Sequence, residues 1–295
     1  MCDIPSHLML AKTSTIACGV LGVLFAARVH AQTPDPDAKP PDAAAAAGAE
    51  GGDSLTLPKG RALINAFLAI NLSDGGAFKP VSLSPDIWYG VTDDITAGLV
   101  HSTLGQYGFI SGIQGRSLCL TGSDNGCADF YSNVGVEGRY KLKSGGPLVY
   151  AADAGLYIGH LNDPLLLGFK LGALGRWHED KIAVEAAPNL QIGLTNRSVT
   201  AGGVTITVNG DSINLPGTFL YALNPMITLA AQSGFILPLQ NTGDAYSIPL
   251  TIGAFYHVNE SLDLNLSFGL PRLVGGGSGT GIDSRVLTLG GSYAL

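Results

Sequence analysis

Acidic and basic residues of both signs recur in the middle of the chain, and within each apolar segment they occupy positions of one parity. Glu137 and Arg139 are two residues apart, and Lys170 and Arg176 are six apart. Residues at such spacings share a face of a β-strand. Mixed charges on one enclosed face either pair with one another or line a narrow polar path that sorts small solutes. We take as candidates Asp86, Glu137, Arg139, Asp153, Lys170, Arg176, Glu185 and Asp263.

A second chemical feature is the pair Cys119 and Cys127, which flank a short segment rich in Gly, Asp and Asn. In an exported chain, two such cysteines most simply form one disulfide. A metal site would need further ligands nearby, and the six histidines are scattered without a His-x-x-x-His spacing. The glycine run at 275–281 is not followed by a helix pattern that would cradle a phosphate. We expect a disulfide, no metal and no cofactor.

The elements that position these residues are predicted to be β-strands, because apolar and polar residues alternate. Residues 262–270 place Leu262, Leu264, Leu266, Phe268 and Leu270 on one side and polar residues or glycine on the other. This alternation is typical of a strand with one apolar face and one wet face. About twelve such strands are predicted, at 62–72, 81–91, 95–101, 130–140, 148–158, 165–177, 182–194, 219–229, 235–239, 248–258, 262–270 and 287–295.

The connections between the predicted strands alternate in length. The predicted short turns are 92–94, 143–146, 179–180, 232–233 and 259–261. The others are mostly long, at 73–80, 103–129, 195–217, 240–247 and 271–284, with 162–164 as the exception. All the short turns lie at one end of the strands.

Aromatic residues on the apolar face fall near that same end. Such belts are found at membrane interfaces, where an apolar ring carries a polar edge. The predicted aromatic girdle consists of Tyr89, Tyr140, Tyr150, Trp177, Tyr256 and Tyr293.

The C-terminal strand, which carries Tyr293 and ends at Leu295, resembles the assembly signal of Gram-negative outer-membrane β-barrel proteins, although the family usually ends in Phe. The short-turn, long-loop alternation is also similar to that porin-like superfamily, at the level of architecture. The resemblance implies an all-β fold: a closed antiparallel transmembrane β-barrel of about 12 strands, with periplasmic short turns. It also implies contact with outer-membrane lipid and with the barrel assembly machinery through the C-terminal strand. A soluble sandwich is the alternative for single alternating strands.

Composition and the N-terminus agree with export. Residues 1–31 are predicted to be a cleaved signal peptide, with Lys12 before an apolar run and a small-residue site before Gln32. Residues 32–60 are predicted to be a disordered Pro/Ala/Asp-rich periplasmic tail, and 61–295 the barrel. The chain has 46% hydrophobic residues but no apolar run of helical membrane-span length after residue 31. Its net charge of −7, without a basic stripe, argues against nucleic-acid binding.

Three functions are consistent with this pattern. A polar, mixed-charge inner face predicts a porin-like passive channel for small hydrophilic solutes. The alternative is a non-conducting structural or surface-binding barrel that uses the long loops 103–129 and 195–217. A weaker alternative is a membrane-embedded lipid hydrolase, suggested by His101-Ser102, but neighbours on a strand point to opposite faces. With His101 predicted to face lipid, we expect no enzyme activity. The sequence does not specify an oligomeric state.

Overall fold

The protein is described by a computed structural model. The described residues are 54–101, 118–127, 130–131, 133–161, 165–201, 204–240, 245–276 and 281–295. The signal peptide and most of the tail predicted for residues 1–53 lie outside this part of the chain.

Sixteen β-strands form nearly all the regular structure of the described residues, with two short 3-10 helices at Ser123–Asn125 and Gly281–Asp283. The strands are β1 (Ala62–Asn71), β2 (Val81–Gly90), β3 (Ile95–Val100), β4 (Leu118–Cys119), β5 (Val134–Lys143), β6 (Leu148–His160), β7 (Leu166–Glu179), β8 (Ile182–Ala186), β9 (Asn189–Gly193), β10 (Ser198–Ala201), β11 (Val204–Thr207), β12 (Ser212–Asn224), β13 (Ile227–Pro238), β14 (Ser247–Asn259), β15 (Leu262–Gly275) and β16 (Val286–Ala294).

The main sheet closes on itself. β1 pairs antiparallel with β2 on one side and with the last strand, β16, on the other. β8 and β9 share one place in the wall between β7 and β12, and β4 extends the place of β3 beside β2. The described wall therefore has twelve strand positions, which confirms the predicted closed antiparallel barrel. β10 and β11 form a separate hairpin.

Side chains alternate between the outside and the interior of this wall, as predicted. Exposed apolar residues on the outward face include Leu99, Val136, Leu156, Leu171, Ile252 and Leu266. An outward apolar band and a closed ladder without a free edge are what a strand protein needs in a bilayer. Among the described residues, no helix has the length and hydrophobicity needed to cross a membrane.

The connections sort into two ends of the barrel. At the turn end, the strands are joined by residues 91–94, 144–147, 180–181, 225–226 and 260–261, all of them short. At the loop end lie the longer connections, including 194–211, which contains the β10–β11 hairpin.

One predicted turn is wrong. Residues 232–233 lie inside β13, and the predicted strand 219–229 instead contains the turn at 225–226. There the Asn224 side-chain oxygen accepts hydrogen bonds from the Met226 and Ile227 N–H groups at 2.8 and 2.9 Å. A short polar side chain that bonds to the following backbone is a strong turn former. β12 therefore begins at Ser212, inside the long connection that the sequence predicted for 195–217.

Apolar side chains fill the interior at the turn end. One cluster, on β8, β12, β13 and β14, is Ala183, Leu220, Ala222, Ala230 and Phe255. Two further clusters contain Leu55 and Leu57. These two leucines precede β1, and each buried leucine side chain contributes about 1.5–3 kcal/mol. Residues 55–57 therefore lie within the barrel, although the sequence assigned them to the tail because three residues are too few for a periodic pattern.

Candidate functional site

The interior carries a cluster of four charged side chains about midway along the wall, here called the lumen charge cluster: Glu137, Arg139, Asp153 and Lys170. Lys170 Nζ lies 2.5 Å from Asp153 Oδ2 and 3.2 Å from Glu137 Oε2. Arg139 Nη2 lies 3.1 Å from Glu137 Oε1. All four are almost fully buried, so each charge depends on the others for compensation.

The strands position this cluster through register. Arg139 of β5 lies directly opposite Asp153 of β6, and Lys170 of β7 lies opposite Gly155, one residue pair along the inward face. Because glycine has no side chain, the Tyr157 side chain can lie over Gly155, with its hydroxyl at Glu137. The sequence predicted that Lys170 would lie near Asp153, and the structure brings them together.

Two aromatic residues extend the lumen charge cluster. The Tyr157 hydroxyl donates a hydrogen bond to Glu137 Oε2. The Arg139 guanidinium lies over the Trp88 ring, 4.3 Å from its centroid. A guanidinium over an indole is a favourable cation–π contact. Neither aromatic residue was singled out from the sequence, although both have inward parity on their strands.

A second buried ion pair lies closer to the turn end. Arg176 of β7 and Glu185 of β8 are directly opposite each other, and their side chains approach to 2.5 Å. Both are predicted candidates, and both are almost completely buried. The two side chains pair with each other and are shielded from solvent. This arrangement suits a structural link between neighbouring strands better than a contact with solutes.

His101 lies in the interior, so its predicted lipid-facing position is wrong. Its backbone N–H donates a hydrogen bond to Asp86 Oδ1 at 2.6 Å. In the ring, Nδ1 lies 2.5 Å from the Pro85 carbonyl oxygen and Nε2 lies 2.9 Å from the Tyr131 hydroxyl. β3 ends at Val100, and the alternation of faces ends with the strand. Asp86 is thereby placed inside the wall with a backbone partner. Ser102 lies outside the described residues.

The remaining predicted acid, Asp263, belongs to a relay that sequence inspection missed. His257 Nδ1 lies 2.6 Å from Asp263 Oδ1, and His257 Nε2 lies 3.2 Å from the Thr228 hydroxyl. A hydroxyl, an imidazole and a carboxylate in this order form a nucleophile–base–acid pattern. The Thr228 side chain is completely buried, however, and a nucleophile must be reached by its substrate. The relay therefore acts as a satisfied polar tie between β13, β14 and β15.

A cavity of about 630 Å³, here called the vestibule, lies at the loop end. Thr205 and Thr207 of the β10–β11 hairpin line it on one side, and Tyr157 lines it on the wall. Because Tyr157 also bonds to Glu137, the vestibule meets the lumen charge cluster at this side chain. Its polar lining is rich in amides: Asn133, Gln191, Asn209, Asn214 and Gln240.

Asp211 is the only carboxylate among the described residues that line the vestibule, and it is held in place. Its oxygens accept hydrogen bonds from Arg197 Nη2 and, at 3.1 Å, from the Gly193 N–H. Partial burial raises the pKa of Asp211, but these hydrogen bonds and the Arg197 charge outweigh it, so the pKa lies below its usual value. No Lys or Arg is among the described lining residues. The vestibule thus presents mainly uncharged hydrogen-bonding groups.

Cys119 and Cys127 form a disulfide, with 5.7 Å between their Cα atoms. Cys119 lies on β4, so the bond fastens the loop-end connection to the strand that pairs with β2.

Within the described ranges, no three His, Cys, Asp or Glu residues are grouped to hold a metal ion. The six girdle residues Tyr89, Tyr140, Tyr150, Trp177, Tyr256 and Tyr293 all lie on the outward face.

Comparison with known proteins gives a fold-level likeness. No protein-family model and no curated protein sequence matches the chain. The NanC porin structure matches with a TM-score of 0.56 at 10% identity, covering 79% of this chain and 100% of that one. The COG4313 outer membrane channel from Pseudomonas putida F1 matches with a TM-score of 0.54 at 16% identity, covering 83% and 99%. The KdgM porin in complex with disordered oligogalacturonate matches with a TM-score of 0.50 at 9% identity, covering 79% and 99%.

These likenesses extend over the described barrel and agree with its closed twelve-position wall and outward apolar face. At such low identity they concern architecture, not solutes. The chain therefore has the fold of the porin-like outer-membrane β-barrels.

Proposed function

We propose that the protein is an outer-membrane channel for the passive passage of small hydrophilic solutes. The observation that supports this most strongly is the position of the vestibule beside the lumen charge cluster: Tyr157 lines the vestibule and bonds to Glu137 of the cluster. A polar entrance next to a cluster of mixed charges is an arrangement with which a channel can sort solutes at close quarters.

The lining favours small uncharged or zwitterionic solutes over strongly charged ones. The vestibule offers amides and hydroxyls, and its Asp211 is already paired with Arg197. Deeper inside, the two carboxylates Glu137 and Asp153 are matched by the two cations Arg139 and Lys170, so the formal charges of the lumen charge cluster balance. A solute in the vestibule can exchange hydrogen bonds with its amides and hydroxyls, and the balanced cluster beside it presents no dominant sign of charge.

Conductance of the purified protein in planar lipid bilayers tests the proposal. Discrete current steps, together with uptake of a small neutral sugar alcohol by proteoliposomes, are the expected result. Bilayers that stay sealed at high protein load, for both the parent chain and a variant with the turn end opened, would contradict it.

A non-conducting, surface-binding barrel is the second candidate, and the apolar filling of the turn end favours it. Its contact surface would be the long loops, including the β10–β11 hairpin within residues 194–211. Replacing residues 198–207 by a short glycine–serine turn should then abolish binding to the cell-surface partner and leave membrane insertion intact. The same replacement should alter solute entry if the protein is a channel.

A further inference from the structure

We propose that residues 54–57 are an internal gate that closes the turn end of the barrel, and that the channel opens when they leave the interior. This gate presupposes the proposed channel function. Leu55, Thr56 and Leu57 are 1%, 2% and 5% exposed, although they precede the first strand and belong to no ladder of the wall.

The gate segment reaches across the interior. Leu55 packs in one cluster with Val149 and Ala151 of β6, Leu174 of β7 and Ala187 between β8 and β9. Leu57, two residues later, packs in another with Leu63 of β1, Trp88 of β2, Val100 of β3 and Ala294 of β16. In the closed order of twelve positions, β1 lies opposite the place shared by β8 and β9. Residues 55–57 therefore bridge opposite walls at the turn end.

The walls leave room that the gate segment fills. Ala151, Ala187 and Ala294 have short side chains, so the two leucines supply apolar volume that these wall residues lack. Close packing of an interior requires such complementary sizes. Removing the leucines would open a space between these small wall residues, continuous with the inward face that carries the lumen charge cluster.

The segment is attached to the wall by few bonds. The Leu57 N–H donates to Thr96 Oγ1 at 2.7 Å, and the Thr56 hydroxyl donates to Asp93 O at 3.4 Å. The chain then leaves the interior at Lys59, which is exposed and whose N–H donates to Asp93 Oδ1 at 3.0 Å. A segment held by side chains and a few hydrogen bonds can open without unzipping the barrel, since low-stability units are the ones that move.

Gly90 provides a selective way to displace the gate. A Cβ atom at Gly90 would lie 2.0 Å from Pro58 O and 2.8 Å from Leu57 O, and the three nearest atoms all belong to the gate segment or to Pro58. Gly90→Ala should therefore push the segment out while leaving the wall unstrained. Gly175→Ala is a matched control, because a Cβ atom there would meet nothing within 4 Å.

The experiment measures gate position and current separately. Thr56→Cys is introduced into the full chain, alone and with Gly90→Ala or Gly175→Ala, and its reaction with a water-soluble maleimide is located at residue 56 by mass spectrometry. We expect slow labelling in the parent background and with Gly175→Ala, and labelling several-fold faster with Gly90→Ala. In planar bilayers, Gly90→Ala should raise the conductance several-fold over the parent, and a second variant, Leu55→Asp with Leu57→Asp, should do the same.

The outcomes separate the two proposals. Equally fast labelling of residue 56 in all three backgrounds, or equal conductance of the parent and a displaced variant, would overturn the gate. Fast labelling with Gly90→Ala but sealed bilayers throughout would leave a displaceable segment and contradict the channel itself. Slow labelling with Gly90→Ala, despite correct folding by heat-modifiable gel migration, would also overturn the gate.

Discussion

Lys170 Nζ and Asp153 Oδ2 are 2.5 Å apart in the interior, on neighbouring strands, and both side chains are almost fully buried. Lys170 also reaches Glu137, so one cation compensates two carboxylates. Removing one partner from a buried pair leaves an uncompensated charge, which is far more costly than losing a surface pair.

Lys170→Met is therefore expected to destabilise the barrel by about 3–5 kcal/mol, the range for breaking a buried ion pair. Urea unfolding of the protein in lipid vesicles, followed by tryptophan fluorescence, measures this loss. Lys141→Met is the matched control, because Lys141 lies 2.6 Å from Asp94 in a partly exposed pair at the turn end. That substitution should cost less than about 1 kcal/mol. Equal costs for the two variants would contradict the interior placement of Lys170.

Glu137→Gln should shift ion selectivity towards anions. The substitution removes one negative charge from the lumen charge cluster and leaves Arg139 and Lys170 in excess over Asp153. The reversal potential across a KCl gradient measures the shift. The comparison is made between Gly90→Ala alone and Gly90→Ala combined with Glu137→Gln, so that the gate segment is displaced in both proteins. Asp94→Asn, which removes an exposed carboxylate outside the interior, is the control and should leave the reversal potential unchanged. If both variants behave alike, the current does not pass Glu137.

Asp211 should titrate below the ordinary aspartate value, since the Arg197 pair and the Gly193 N–H favour its charged form. A carboxyl with a lowered folded-state pKa stabilises the fold above its unfolded pKa and loses that contribution as the pH falls through the lower, folded value. Carbon NMR of labelled aspartate in detergent micelles gives the titration directly. Arg197→Gln should move the midpoint upward, and an unchanged midpoint would show that the pair does not set it.

Breaking the Cys119–Cys127 disulfide should loosen the loop end without unfolding the wall. The bond joins β4 to the 3-10 helix region, outside the long strands that carry most of the ladder. Cys119→Ser with Cys127→Ser should make residues 118–127 susceptible to protease added to intact cells. The heat-modifiable gel migration of the barrel should stay as in the parent. A loss of folded barrel would show that the disulfide holds the wall itself.

The strands were predictable because their signal is a period of two, and parity alone determines which side chains point inward. The turn at 225–226 was missed for the same reason. Phe219 and Leu223 before it and Leu229 after it are all odd-numbered and all outward, because a β-bulge between Ala222 and Asn224 offsets the two-residue turn and leaves the alternation unbroken. The dipeptide Asn224-Pro225 was the available signal, because both residues favour turns.

Interior partners were less predictable than faces. Register brings Arg139 opposite Asp153. Which side-chain atoms meet also depends on side-chain length and on the space left by glycines such as Gly155, and the alternation of apolar and polar residues does not predict these contacts. The gate segment has only two apolar residues, Leu55 and Leu57, and no pattern that distinguishes it from the tail. The Thr228–His257–Asp263 relay joins three strands and becomes visible only when their registers are known.

The central claim is that the interior is a solute path, and the conductance of single protein molecules in planar lipid bilayers tests it most directly. We predict discrete steps from the purified chain and more frequent steps from Gly90→Ala, with Gly175→Ala like the parent. Bilayers that remain electrically silent with all three proteins, after insertion has been verified by protease protection, would contradict a channel.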